Sequence, residues 1–242
     1  MFRYLPLFCA GLACAATPVG ALEIASQERY VEAILHEGPY GLYDSPRYLA
    51  SDRYDAPDLG PFQAQASVGG AAPGCPYPGG SGGVASQDSR IESDQVIASG
   101  SLSTNGFSGC TGTDVRSFLR IGFEITEPTP YSIEGSIKLQ GLGYARLYLA
   151  QGGSGFYPGP FSFYDDPYDS ESTPFSQSGL LAPDHYWIVA DIYSCGGEVM
   201  NCGYGYHDFN FVFTVPEPAS GGLAGFGLIT IGAIGRRARR PA

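Results

Sequence analysis

Residues 131–139 read YSIEGSIKL. Tyrosine, isoleucine, glycine and leucine occupy the odd positions, and serine, glutamate and lysine occupy the even ones. An alternation of period two is typical of a β-strand with one face in a hydrophobic core and the other in water. This segment therefore predicts β-structure.

The same alternation recurs on both sides of this segment. It is found in residues 119–125, 145–149, 186–192 and 209–215, and residues 62–68 and 95–102 also look like strands. Glycine, proline and asparagine turns separate these segments, which favours an all-β fold made of a single β-sandwich of jelly-roll type. We expect 119–125 and 131–139 to form a β-meander joined by the turn at 127–130. The apolar positions that alternate are Leu119, Ile121, Phe123, Ile125, Ala145, Leu147, Leu149, Tyr186, Ile188, Ala190, Ile192, Phe209, Phe211, Phe213 and Val215.

The N-terminal third is less regular. Residues 28–35 predict a short helix with Tyr30, Ile34 and Leu35 on one face, ended by Gly38 and Pro39. We therefore divide residues 22–215, which we call the body of the protein, into an irregular or short-helix segment at 22–60 and the β-sandwich domain at 61–215. No internal repeat indicates a second domain.

Residues 1–21 have the features of a cleaved signal peptide. Arg3 supplies the positive charge, residues 4–16 are apolar, and small residues end at Ala21, where we expect cleavage. A lipoprotein signal ending at Cys14 is the alternative.

The C-terminal segment 216–242 has three dissimilar parts in a fixed order. A proline-bracketed motif precedes an apolar run at 219–235, whose 17 residues would reach about 25 Å as a helix, near the lower limit for a membrane span. Basic residues follow, and they favour a cytoplasmic C-terminus. A permanent tail anchor and a buried apolar strand are the alternatives. The motif and the basic cluster consist of Pro216, Glu217, Pro218, Arg236, Arg237, Arg239 and Arg240.

These three parts resemble the PEP-CTERM sorting signal of Gram-negative bacteria, whose family model is also labelled ice-binding protein C-terminal domain. The resemblance covers about the last 27 residues. It implies export with signal peptidase and exosortase as processing partners, transient anchoring in the inner membrane, and a final location at the cell surface or outside the cell. It also implies an association with exopolysaccharide and biofilm. We see no regular Thr-x-Thr array of an ice-binding face.

The charge of the body narrows the possible partners. Residues 22–218, the body with the adjoining proline-bracketed motif, carry 8 positive and 24 negative charges, a net charge of −16. Such a surface repels nucleic acid, which excludes nucleic-acid binding, and it can attract divalent cations or basic partners.

Four cysteines remain after signal cleavage, an even number that predicts two disulfides in an exported protein. Three pairings are possible, and we favour Cys75 with Cys110 and Cys195 with Cys202. A four-cysteine zinc site is the alternative, although no Cys-x-x-Cys pair is present.

Motifs for catalysis are scarce. His36, His185 and His207 have no metal-ligand spacing, and we expect His185 and His207 to face solvent near strand starts. The sequence contains no Gly-x-Ser-x-Gly elbow, and the glycines at 79–83 lack the lysine of a phosphate-binding loop. We therefore expect a non-catalytic protein without a required cofactor.

One loop is rich in acidic side chains that could hold a structural Ca²⁺, because hard oxygen ligands bind this cation. A solvated acidic loop is the alternative, since the ligand spacing of an EF-hand is absent. The four candidate ligands are Asp165, Asp166, Asp169 and Glu171.

Aromatic side chains crowd the neighbouring Gly/Pro-rich region. Exposed tyrosines can stack on sugar rings, so Tyr157, Tyr164 and Tyr168 are candidates for glycan contacts. The alternative is that these rings cover the ends of the sandwich.

Three functions follow. The first is a non-catalytic cell-surface or extracellular-matrix protein, and the second is a lectin-like binder of extracellular polysaccharide. The third is a secreted glycosidase, which would need two carboxylates about 5–10 Å apart across a cleft.

Overall fold

A computed structural model describes residues 22–37, 47–71, 79–106, 110–152, 158–165, 172–196 and 204–216. These residues belong to one compact unit, Ala21–Pro216. The predicted signal peptide and the predicted membrane span lie outside the described residues.

Twelve β-strands make up the described part of the chain. Their bounds are β1 Glu23–Glu37, β2 Arg47–Asp55, β3 Phe62–Gly70, β4 Ser81–Ile91, β5 Gln95–Gly106, β6 Thr111–Ile125, β7 Thr129–Gly141, β8 Gly143–Gln151, β9 Pro158–Asp165, β10 Ser172–Leu181, β11 Asp184–Gly196 and β12 Tyr204–Thr214.

The strands form two six-stranded antiparallel sheets. Sheet A has the order β2-β1-β6-β11-β8-β9, and sheet B has the order β10-β7-β12-β5-β4-β3. The described residues contain no helix, and therefore no helix long and apolar enough to span a membrane.

The inner faces of the two sheets share one hydrophobic core. Phe123 on β6 and Phe213 on β12 bring their ring centroids to 5.4 Å, and Phe123 also stacks on Tyr186 of its own sheet at 5.9 Å. Each of the fifteen alternating apolar positions named above is buried. The predicted all-β, two-sheet architecture is therefore confirmed, and the removal of these side chains from water is its main driving force.

The short helix predicted at 28–35 is wrong, because this segment lies in the fifteen-residue strand β1. Val31, Ala33 and Leu35 are buried between the sheets, while Tyr30 and Ile34 lie on the opposite face. Positions four apart share a face in a strand as well as in a helix, so that spacing could not distinguish the two. The segment 22–60 is consequently part of the sandwich through β1 and β2.

The meander predicted for 119–125 and 131–139 is also wrong. The first segment lies in β6 of sheet A and the second in β7 of sheet B. The residues between them cross from one sheet to the other, and Pro128 and Pro130 have no backbone N–H to donate to a ladder. Alternation identifies a buried face but does not determine which strand pairs with which.

A second crossing, from β7 to β8, has only Leu142 between its strands. Gly141 adopts φ +88°, and a Cβ there would overlap the carbonyl oxygen of Tyr204. A residue with a side chain would be strained at this position, which explains the glycine.

Candidate functional site on the outer face of sheet A

The outer faces of the two sheets differ in chemistry. The outer face of sheet B mixes small polar and charged side chains, and of the aromatic residues it carries Tyr204 and Tyr206 near the start of β12: Asp88, Arg90, Ser99, Ser101, Ser103, Ser132, Glu134, Ser136, Lys138, Asp208 and Asn210. The outer face of sheet A carries aromatic and charged side chains: Tyr30, Glu32, Arg53, Asp114, Arg116, Phe118, Arg120, Tyr144, Arg146, Tyr148, Trp187, Asp191 and Tyr193. Large aromatic and charged groups placed outward on strands are the kind that bind ligands.

Strand register aligns four of these residues in one row. Glu32 of β1 is opposite Arg116 of β6, which is opposite Tyr193 of β11, which is opposite Tyr144 of β8. Directly opposed residues on antiparallel strands project from the same face. Four separate strands therefore contribute to one site.

Arg116 and Asp191 form the central ion pair of this face. Nε of Arg116 donates to Oδ1 of Asp191 at 2.7 Å, and Nη2 donates to Oδ2 at 2.9 Å. The Tyr144 hydroxyl donates to the same Oδ2 at 3.3 Å. Burial alone would lower the pKa of Arg116, but its hydrogen bonds to Asp191 and the negative charge there raise it, so the guanidinium stays charged. Burial, reinforced by Asp191, raises the pKa of Tyr144, which stays a neutral donor.

Asp114 is the second anchored carboxylate. The Tyr193 hydroxyl donates to its Oδ1 at 2.6 Å, and Nε2 of the buried His36 lies 3.4 Å from its Oδ2. The rings of Tyr193 and Tyr144 stack with their centroids 5.3 Å apart. Each tyrosine is thus fixed at its hydroxyl and at its ring.

A pocket of about 230 Å³ lies at these residues. Two carboxylates, one ion-paired guanidinium and three tyrosines are among the groups that line it, and Tyr48 at its edge is 67% exposed. Concave sites with a few converging polar groups are the usual binding sites of small ligands. The described lining residues are Glu32, Ile34, His36, Tyr48, Asp114, Val115, Arg116, Tyr144 and Tyr193.

Arginines cover several aromatic rings away from the pocket. Arg53 lies 3.8 Å from the ring centre of Tyr30, and Arg120 lies 4.0 Å from that of Trp187. The charge of Arg53 is held by Asp55, whose hydrogen bond raises the pKa of Arg53. These cation–π contacts stabilise the face, and they leave less ring surface open there than at Tyr48.

A second pocket, of about 550 Å³, lies on sheet B beside the start of β4 and the ends of β3 and β5. Five of its lining residues are glycines, and none of its described lining residues carries a titratable side chain. Its described lining offers backbone and uncharged side-chain groups, whereas the pocket on sheet A also offers carboxylates and a guanidinium. The pocket on sheet A is therefore the stronger candidate site.

The structure describes two of the seven residues predicted for glycan or calcium contacts. Tyr164 and Asp165 are in β9, where Tyr164 is opposite Arg146 of β8. Five other candidates lie outside the described residues: Tyr157, Asp166, Tyr168, Asp169 and Glu171. No group of three or more potential metal ligands occurs within the part of the chain that the structure describes, and the calcium site stays a prediction.

Cys110 and Cys195 are both disulfide-bonded. Cys75 and Cys202 lie outside the described residues, so the favoured pairing stays a prediction. Of the predicted sorting residues, only Pro216 is described, and the segment from Glu217 onward is not.

The expected solvent exposure of His207 is wrong, because its side chain is fully buried. It has the same parity in β12 as Phe209 and Phe211, which also face the core. That parity was visible in the sequence and predicts the burial. Burial lowers the pKa of His207 from its ordinary value, so the folded protein holds the neutral imidazole.

Sequence reasoning missed the residues that form this site. Arg116, Asp191, Asp114, Tyr144 and Tyr193 lie at outward positions of alternating strands, where small polar residues are usual. Large aromatic and charged groups at such positions were the available signal.

No family model matches the chain, and no curated protein matches it. Among solved structures, the GH31 alpha-xylosidase (Xac1773) from Xanthomonas citri aligns at 9% identity with a TM-score of 0.13. The alignment covers 80% of this chain and 29% of that one, so the chain spans less than a third of that enzyme's length. At this TM-score the similarity supports neither a fold nor an activity.

Proposed function

We propose that the protein is an exported, non-catalytic component of the cell surface or extracellular matrix, associated with exopolysaccharide and processed by an exosortase. The single observation that carries this is the three-part C-terminal segment 216–242. The disulfide-bonded state of Cys110 and Cys195 supports it, because disulfides persist in oxidising compartments outside the cytosol.

In this proposal the two-sheet body is a jelly-roll-like sandwich between a removed signal peptide, 1–21, and a sorting helix that anchors the chain transiently in the inner membrane. The net charge of −16 keeps such a body soluble once released. Ca²⁺ at the acidic loop would be structural.

Carbohydrate binding is the second candidate function, and the outer face of sheet A favours it. Carboxylates, a guanidinium and tyrosine hydroxyls converge on one pocket, with exposed Tyr48 beside them. Sugars present both hydroxyl groups and apolar ring faces, which such a mixture can hydrogen-bond and stack upon. Tyr157, Tyr164 and Tyr168 stay candidates for glycan contacts from the sequence alone.

A glycosidase remains the third candidate, because Glu32 and Asp114 line the same pocket. Against it, both oxygens of Asp114 already face Tyr193 and His36. A carboxylate engaged in this way is suited to positioning a ligand rather than to attacking one.

Replacement of the sorting motif tests the principal proposal. We expect a chain with Glu217→Gln, or with Pro216→Ala and Pro218→Ala together, to stay unprocessed in the membrane fraction. A chain that lacks residues 219–242 should be released without anchoring. As a matched control, Glu127→Gln in the body should be processed like the wild type. The same processing of the wild type and the Glu217→Gln chain would contradict exosortase handling.

A further inference from the structure

We propose that the pocket on the outer face of sheet A binds a neutral sugar residue of an extracellular polysaccharide, with Tyr48 stacking on the sugar ring and Glu32 and Asp114 accepting hydrogen bonds from its hydroxyls. This inference rests on the carbohydrate-binding candidate and adds the site and the chemical class of the ligand.

The size of the pocket fits one ring of a polymer rather than a large molecule. Its volume of about 230 Å³ lies below the range of roughly 300–1,000 Å³ typical of pockets for drug-sized ligands. The opening beside Tyr48, which is 67% exposed, leaves the neighbouring sugar residues in solvent. A polysaccharide can therefore pass over the pocket while one of its sugar residues enters it.

The donors and acceptors of the lining match those of a polyol. Carboxylate oxygens are hydrogen-bond acceptors, so Glu32 and Asp114 can each accept hydrogen bonds from sugar hydroxyls. Arg116 has five N–H donors, and Asp191 accepts from two of its nitrogens. The remaining donors suit hydroxyl and ring oxygens.

The charge of the lining decides between neutral and acidic sugars. Asp191 compensates Arg116, while Glu32 and Asp114 place two carboxylates at the pocket. The Nη1 atom of Arg53 lies 3.5 Å from Glu32, but the guanidinium of Arg53 is hydrogen-bonded to Asp55. Arg146 adds a third guanidinium, 4.5 Å from the ring centre of Tyr144. The four carboxylates of Glu32, Asp55, Asp114 and Asp191 still exceed these three guanidinium groups by one negative charge, which disfavours a uronate, sulfate or phosphate, as does the net charge of the whole body.

The pocket is organised before any ligand binds. Tyr144 and Tyr193 stack at 5.3 Å, and their hydroxyls donate to Asp191 and Asp114. All four residues lie on paired central strands rather than on loops. Side chains that are already fixed lose little conformational entropy on binding, which favours affinity for a weakly binding ligand such as a sugar.

Saturation-transfer NMR of the full chain in mild detergent tests the inference. The probes are xylotetraose, cellotetraose and mannotetraose as neutral oligosaccharides, with tetragalacturonate as the anionic counterpart. We expect transfer to at least one neutral probe and at least tenfold weaker binding, or none, of tetragalacturonate.

Two variants test whether the sugar binds in this pocket. One changes Tyr48 at its exposed edge and the other changes Glu32 in its lining, and neither removes a residue of the hydrophobic core. Tyr48→Ala and Glu32→Gln should each weaken binding of the neutral probe by about tenfold, the effect of one stacking or charge-assisted contact. Tyr206→Ala on the outer face of sheet B is the matched control, since Tyr206 is 41% exposed, and it should leave binding unchanged. Unchanged thermal unfolding of the three variants shows that they are folded.

Three other results of the NMR experiment would each contradict one part of the inference. Neutral binding that survives both pocket variants contradicts this site and leaves carbohydrate binding in place. Preferred binding of tetragalacturonate contradicts the neutral class. Transfer to none of the four probes contradicts carbohydrate binding itself, whereas the export proposal is judged separately by the processing of the Glu217→Gln chain.

Discussion

Arg29 of β1 crosses the interior of the sandwich and donates from Nη1 to the Ser89 hydroxyl of β4 at 3.2 Å. Its Nη2 donates to the Gly60 carbonyl at 2.9 Å, and its Nε donates to Gln27 at 2.7 Å. The side chain is only 2% exposed, and burial lowers the pKa of Arg29. One buried guanidinium thus connects both sheets and the loop between β2 and β3.

Arg29→Ala should destabilise the protein by about 3–5 kcal/mol, because it leaves buried carbonyl and hydroxyl groups without a donor. For a domain of this size the midpoint of thermal unfolding should fall by roughly 10 °C. Arg90→Ala is the control, since Arg90 is exposed and its ion pair with Glu92 spans 3.7 Å, and it should cost less than about 1 kcal/mol. Equal losses in the two variants would contradict the structural role of Arg29.

His207 should make stability depend on pH. Burial lowers its pKa in the folded state, so below about pH 6.5 the unfolded chain binds a proton that the folded chain does not. Above that pH, the contribution of His207 to the free energy of unfolding is therefore fully present. It falls by up to about 1.4 kcal/mol per pH unit as the pH decreases towards the folded-state pKa.

Chemical unfolding between pH 7.5 and pH 5 measures this effect. His207→Gln should reduce the loss of stability on acidification, whereas His185→Gln, at a partly exposed position, should not. Parallel pH profiles for the wild type and His207→Gln would show that His207 has no such influence.

The disulfides should connect Cys75 with Cys110 and Cys195 with Cys202. Cys195 is at the end of β11 and β12 begins at Tyr204, so the second bridge would close the short connection between these strands. Peptide mapping without reduction should recover these two linked pairs. A linked peptide that joins Cys110 to Cys202 would contradict the pairing.

The pocket on sheet A should bind without turnover. Prolonged incubation of the full chain with xylotetraose, cellotetraose or mannotetraose should release no smaller sugars. Hydrolysis that disappears in both Glu32→Gln and Asp114→Asn would instead assign these carboxylates to catalysis.

Much of the fold could be predicted from the sequence, because alternation reports directly on burial. The odd positions from Phe209 to Val215 face the core as expected. The same rule fails for residues 28–35, where Tyr30 and Ile34 suit a helix face as well as one side of a strand. Pairing also escaped prediction, since β6 and β7 are adjacent in sequence and belong to different sheets.

The candidate site could not be predicted by spacing. Arg116 and Asp191 are 75 residues apart, and Asp114 and Tyr193 are 79 residues apart. Only the order β1-β6-β11-β8 in sheet A brings these side chains together. Non-local pairing of strands therefore creates the site, and a motif search along the chain cannot detect it.

Mass spectrometry of the intact protein recovered from the producing cell tests the export proposal most directly. We predict a polypeptide in the surface or extracellular fraction that begins at Leu22, lacks the arginine-rich end of segment 216–242, and has all four remaining cysteines oxidised. A cytosolic polypeptide of 242 residues with free thiols and both termini intact would contradict the proposal.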